Sequence, residues 1–205
     1  MADAWDTVET NAFERLVCGA RCPAAGEMLL AIAAEFGRRD TGAVSFRLDE
    51  LARGLFDAAP LDPGIASHRL ATLVTDELRL RTDEVSVDSL WLDAVLDRRA
   101  GHPLALAVIG AEIGRRAGLE VGICSTPTGW FAGLGARDRL WLIDPAVDPG
   151  PTPSGPIRRH CGHELGFAAL TGIYARLIRD GEGASACHAA HLRGRLPVGR
   201  HDTSP

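Results

Sequence analysis

The strongest constraint on this chain is the stretch LALAVIGA, residues 104–111, which carries no charge on any face. A helix that is apolar all round has to be buried all round, so other elements must surround it. Its ends are legible. Pro103 suits a first helical position, where no backbone N–H is needed, and Gly118 stops the helix after Arg115 and Arg116 have met its negative end. The preceding segment, from Leu90 to Arg99, predicts a helix with Leu92, Val95 and Leu96 inward, capped by Asp88 or Ser89 and stopped at Gly101. Beyond the buried helix the period changes to that of strands: Leu119 to Cys124, Trp130 to Leu134 and Leu140 to Ile143, separated by STPTG and GARDR. A small antiparallel sheet packed on the buried helix is the simplest assembly, which makes the fold class α+β.

The flanks supply the remaining cover. Residues 1–84 read as a helical layer. Met28, Leu29, Ile32, Ala33 and Phe36 share one face of a helix from Ala24 to Phe36, and Leu48, Leu51, Leu55 and Phe56 repeat that period. A third helix from Pro63 to about Leu78 buries Ile65, Leu70, Leu73, Val74 and Leu78. Residues 85–150 form the core unit, and 151–156, within DPGPTPSGP, form a linker. Residues 157–197 predict a helical hairpin, Glu164 to Arg179 and Ala184 to Arg195, which buries Leu165, Ala168, Ala169, Ile173, Leu177, Ala186 and Ala190. The last stretch, 198–205, reads as a disordered tail.

Composition narrows the function classes. A net charge of −5 offers no basic field for a nucleic-acid backbone, although every basic residue is arginine. No apolar run approaches the roughly 20 residues that span a bilayer, and MADAWDTVET is acidic where a secretory signal is basic, so a cytoplasmic location is expected, with no membrane partner. Cys18, Cys22, Cys124, Cys161 and Cys187 are then expected as reduced thiols.

The run LDAVLDRRAGHPLALAVIGAEIGRRAGLEVGI resembles the signature of SirB-type transglutaminase-like proteins, in which an LxxVLxRRxGxPLSL segment leads into a buried helix ending RRLGL. That family continues with PGHF and IDP segments, and PTGWF and LIDP stand at the corresponding places here. The C-terminal hairpin, with LTGIYARLIRDGEG, is similar to the TPR-like helix pair that closes many members, so the likeness spans roughly residues 85–197. The resemblance implies a papain/transglutaminase-like core in which a nucleophile opens the buried helix, a histidine stands on the next strand and an aspartate on the one after. A helix N-terminus lowers a thiol's pKa, the imidazole takes its proton, and the carboxylate orients the imidazole.

Mapped residue by residue, the nucleophile falls on Ala105, where SirB-type members often have serine, and the histidine falls on Trp130, with Thr128 as a one-residue insertion. Only the aspartate is retained, as Asp144. The resemblance therefore implies a transglutaminase-like pseudoenzyme: a non-hydrolytic binding or accessory protein for a small molecule or a protein partner, using an apolar cleft. The alternative is rewired catalysis on the same scaffold, such as a cyclase, isomerase or acyl-transfer step of a specialised bacterial biosynthetic pathway. In that case His102 and Asp144 are the catalytic candidates, because a carboxylate beside an imidazole sets its pKa and tautomer. The other reading of His102 is a turn histidine before proline. Trp91, Phe131 and Trp141 join Trp130 as candidate pocket residues or as plain core, and Cys124 and Ser125 are a conceivable relocated nucleophile or a buried strand end.

No cofactor and no metal are expected. Cys18-x-x-x-Cys22 could put two thiols on one helical face, but without nearby histidines no zinc site is expected there. His160, Cys161 and His163, with Cys187, His188 and His191, suggest zinc, but a hairpin turning near Glu182 leaves His163 on the order of 15 Å from His191 at 1.5 Å per residue. Unless the linker end folds back, one ion cannot bridge them, and incidental histidines are the expectation.

Overall fold

The computed structural model describes residues 11–19, 21–38, 40–58, 61–135, 139–146 and 155–197, so the tail and most of the linker lie outside the described residues. At its centre is α6, Pro103–Arg116, buried at every residue from Leu104 to Gly114. Leu104, Leu106, Val108, Ile109 and Ile113 are each 0–1% exposed. Burial at that level stabilises the fold by about 2 kcal/mol per large aliphatic side chain. Gly118 takes φ 84° just past the helix end, a conformation that glycine reaches without strain.

Around α6 stand the N-terminal helices: α1 Ala12–Cys18, α2 Ala25–Glu35, α3 Thr41–Arg53 and α4 Pro63–Thr72. Side-chain oxygens of Asn11, Asp40 and Asp62 accept hydrogen bonds from first-turn amides of α1, α3 and α4. The α4 helix runs on through a single π-helical turn, Leu73–Glu77, so the predicted third helix is present with its last turn widened. One helix was not anticipated, α1, whose seven residues bury only Phe13. It ends at Cys18, so Cys22 lies outside it and the two thiols do not share a helical face.

A two-stranded parallel pair, β1 Arg81–Thr82 with β2 Ala100–Gly101, brackets α5, Leu92–Arg98. The expected helix start at Leu90 is instead a 3₁₀ turn, Val87–Leu90, and Arg99 closes α5 in the left-handed region. The main sheet is antiparallel throughout, in the order β5-β4-β3-β6. Its strands are β3 Val121–Thr126, β4 Gly129–Leu134, β5 Trp141–Ile143 and β6 Arg158–His160. The first three match the expected strands. The fourth is new: the chain after the linker returns to the sheet before entering the hairpin, pairing Ile123 with His160. The hairpin, α7 Gly162–Arg179 and α8 Gly183–Arg195, then packs α7 against α2, burying Leu165, Ala169, Leu170, Ile173, Ala186 and Ala189.

Candidate functional site

The mouth of α6 is assembled locally. Gly101 leaves no room for a side chain, since a Cβ there would lie 2.6 Å from a Val95 methyl. His102 caps the helix: its Nδ1 accepts the Leu104 amide at 3.1 Å. Ala105, the position that resemblance assigns to a nucleophile, is 0% exposed and contributes a methyl to the core. Trp130 on β4 and Asp144 just past β5 border a cavity of about 60 Å³ together with Pro103, Leu106 and Phe131. That volume holds a few waters and no metabolite. Asp144 Oδ1 accepts the Ala146 amide at 3.0 Å, which ties the carboxylate to its own turn.

Among the described residues bordering that cavity, neither Ala105 nor His102 appears. The charges acting on His102 are Arg176 on α7 and Glu84. Burial above all, and Arg176 after it, lower its pKa from the usual 6.5, while Glu84 pulls the other way. Trp91 is buried elsewhere, 5.3 Å from the Phe36 ring and under Arg38. Trp141 lies against Gly64 at the start of α4, with the Arg139 guanidinium 5.1 Å from its ring centre. The expected aromatic group is therefore divided among three places, because side chains on β4, on β5 and at the start of α5 face different neighbours.

The depressed His102 pKa has a consequence for stability. Below about 6.5 the unfolded chain takes up a proton there that the folded chain refuses until lower pH, so stability rises with pH through that window and is lost on acidification. Melting temperature should therefore fall as pH drops from about 7 to about 5, and His102→Asn, which keeps a capping acceptor without titrating, should flatten that fall. A thermal melt series over pH, wild type against variant, checks it.

The sheet brings together a group not read from the sequence as a set. Ser125 and Trp130 are direct partners on β3 and β4, and His160 joins their face through β6. Ser125 Oγ lies 2.7 Å from His160 Nε2, and His160 Nδ1 lies 3.6 Å from Glu164 Oε2. Trp130 packs on the imidazole at 4.8 Å between ring centres. Glu164 also accepts the Cys161 amide at 3.1 Å and pairs with Arg158. Burial lowers the His160 pKa, with Glu164 opposing and Arg158 reinforcing that shift. A neutral imidazole backed by a carboxylate and touching a hydroxyl is a serine, base and orienting-acid arrangement. Cys124 points to the opposite face, beside Gly133, where burial pushes its thiol pKa up and Arg159 works against that. The sequence signal for the group was slight, since only the strand pairing of three residues, RRH, carries His160 across 35 positions to Ser125.

A second cluster also depends on the chain's return after the linker. Ligand atoms of Cys22, Cys161 and His163 lie within 4.8 Å of one another. Cys187 and His191, on α8, are exposed and stand outside this group. The Cys22 thiol is pushed up to about 11, first by burial, with Cys161 adding to the rise and backbone amides opposing it.

Comparison with known proteins fits this architecture. The family description "Transglutaminase-like superfamily" matches residues 26–149. UPF0162 proteins from two strains of Xylella fastidiosa are each 32% identical to the chain, over 79 and 76 residues. Those stretches are 38% and 37% of this chain and 28% and 27% of the relatives, so the likeness covers little more than a quarter of their length. No solved structure matches. Among the described residues, no helix is long and apolar enough to cross a membrane. The family match takes in more than half of the chain, from α2 through the buried helix and past Asp144, and on that basis the chain belongs to the transglutaminase-like superfamily.

Proposed function

We propose that this is a SirB-type member of the superfamily, closed by a TPR-like hairpin, that carries out no acyl chemistry at the family's position and serves as a binding or accessory protein. The observation that supports this reading is the burial of Ala105 at 0% exposure where a nucleophile would open the helix. A methyl cannot attack a carbonyl, and Trp130 cannot take a proton. The cavity of about 60 Å³ beside Asp144 favours a protein partner over a metabolite at that place.

A second reading is favoured by one specific contact, the 2.7 Å approach of Ser125 Oγ to His160 Nε2. In it the scaffold performs acyl transfer or ester hydrolysis from a displaced centre. Ser125 Oγ attacks the acyl carbon as His160 takes its proton, the protonated imidazole returns that proton to the leaving group, and water releases the acyl chain by the same steps. Glu164 orients the ring. Labelling with a fluorophosphonate probe, alongside a panel of activated esters, separates the readings. The first expects no labelling above the Ser125→Ala background and no turnover that depends on His102 or Asp144. Labelling of wild type that is lost in both Ser125→Ala and His160→Gln carries the second, and turnover abolished by His102→Asn or Asp144→Asn overturns the first in favour of catalysis at the family's own site.

A further inference from the structure

We propose that Cys22, Cys161 and His163 form a binding site for a thiophilic divalent cation, with Zn²⁺ the chemical match. The site comes from three points that folding alone brings together: the segment before α2, the residue that caps α7, and the first turn of α7. Their ligand atoms already lie within 4.8 Å of one another. A tetrahedral zinc with bonds of about 2.3 Å to sulfur and 2.0 Å to nitrogen sets ligand atoms about 3.5–3.8 Å apart, so closure around an ion needs a contraction of roughly an ångström.

The surroundings fit a ligand set in two independent ways. His163 is 0% exposed, and its Nε2 stands 3.0 Å from the Leu16 carbonyl oxygen. Only an N–H can satisfy a carbonyl, so the proton is on Nε2 and the lone pair is on Nδ1. A carbonyl holding the far nitrogen is the outer-shell contact that fixes a metal-binding imidazole in its tautomer and orientation. In addition, the Gly162 amide donates to Cys22 Sγ at 3.1 Å, which sets that sulfur over the first turn of an 18-residue helix. The amide donor and the helix N-terminus aid the thiolate that a metal requires, working against the burial that pushes the Cys22 thiol up.

Two thiolates and an imidazole select zinc over magnesium or calcium, which prefer oxygen. Three protein ligands leave a fourth position. Cys22 and Cys161 also line a cavity of about 210 Å³ bordered by Glu112, Arg115 and His160, from which water can fill it. Occupancy would tie α1, through Leu16, and the segment before α2 to the C-terminal hairpin, so that binding energy becomes folding energy. Two protons leave the thiols when the ion enters.

The test uses the full chain, purified under reductant, stripped with a chelator, and titrated with Zn²⁺ against a colorimetric competitor and with Co²⁺ as a spectroscopic probe. The expected result is one equivalent bound, a thiolate-to-cobalt charge-transfer band, and a melting temperature that rises with Zn²⁺. Cys22→Ser and Cys161→Ser should each weaken binding by more than about 100-fold and remove that rise, whereas Cys18→Ser and Cys187→Ser should leave both unchanged. Cys22 is exposed, so its variant reports even if His163→Ala fails to fold. No stoichiometric uptake, or uptake unchanged in the Cys22 and Cys161 variants, overturns the proposal. So does a Cys22–Cys161 disulfide that persists in the loading reductant.

Discussion

Gly162→Ala is expected to lower stability by about 3 kcal/mol, and the melting temperature by roughly 6–12 °C for a chain of this size. A Cβ at this position would lie 2.2 Å from the Pro23 carbonyl oxygen and 3.0 Å from the Pro23 carbonyl carbon. Those are backbone atoms, which cannot swing aside as a side chain would, so either α7 or the segment before α2 must move. Movement of α7 disturbs its packing on α2, where Gly166 in turn meets Met28 with no spare space. The matched control is Gly183→Ala in the first turn of α8, where nothing lies within 4 Å of the new methyl and the change should be neutral or slightly stabilising. Thermal and urea unfolding of both variants check the prediction, and equal stability of the two would show that the Pro23 contact relaxes without cost.

Glu112→Ala should cost about 3 kcal/mol, the lower end of the range for breaking a buried ion pair from one side. The carboxylate is 2% exposed on α6, just past its uncharged stretch. Its oxygens accept the Gly26 amide at 3.1 Å and Arg115 at 2.7 Å, with Arg116 Nε at 3.5 Å. Removing it leaves the Gly26 N–H without its acceptor and Arg116, 17% exposed at the side chain, without its counter-charge on α6. Arg115 is about half-exposed and recovers water, which is why the larger figures for fully buried pairs do not apply. Glu112→Gln retains an oxygen for Gly26 and should lose less. The site also predicts a coupling: Gly26→Ala would put a methyl 2.7 Å from Glu112 Cγ and Cδ, so its cost in wild type should shrink in the Glu112→Ala background. Additive losses in urea unfolding of the double variant would refute that.

The elements read from local pattern are those whose evidence is local. The uncharged stretch from Leu104, bracketed by Pro103 and Gly118, is α6, and the spaced apolar residues of the hairpin lie on the buried sides of α7 and α8. What escaped such reading was short. The three residues of β6 have no alternation to detect, and α1 buries a single side chain. At the candidate site, motif correspondence located Trp130 and Asp144 beside one cavity, while Trp91 and Trp141, equally apolar in the sequence, face other partners. Aromatic identity does not tell which neighbours a side chain packs against.

By itself the sequence determined the α+β class, the buried helix and the superfamily, because each depends on residue identity at fixed spacing along one segment. Only the tertiary structure decided that Ser125 meets His160, that His102 answers to Arg176 and Glu84, and that Cys22 meets Cys161 and His163. The physical reason is the return of the chain after residue 156 to the open edge of β3. That edge pairs with β6 through backbone hydrogen bonds indifferent to side-chain identity, and in doing so delivers HCGHE to groups 35 and about 140 positions away.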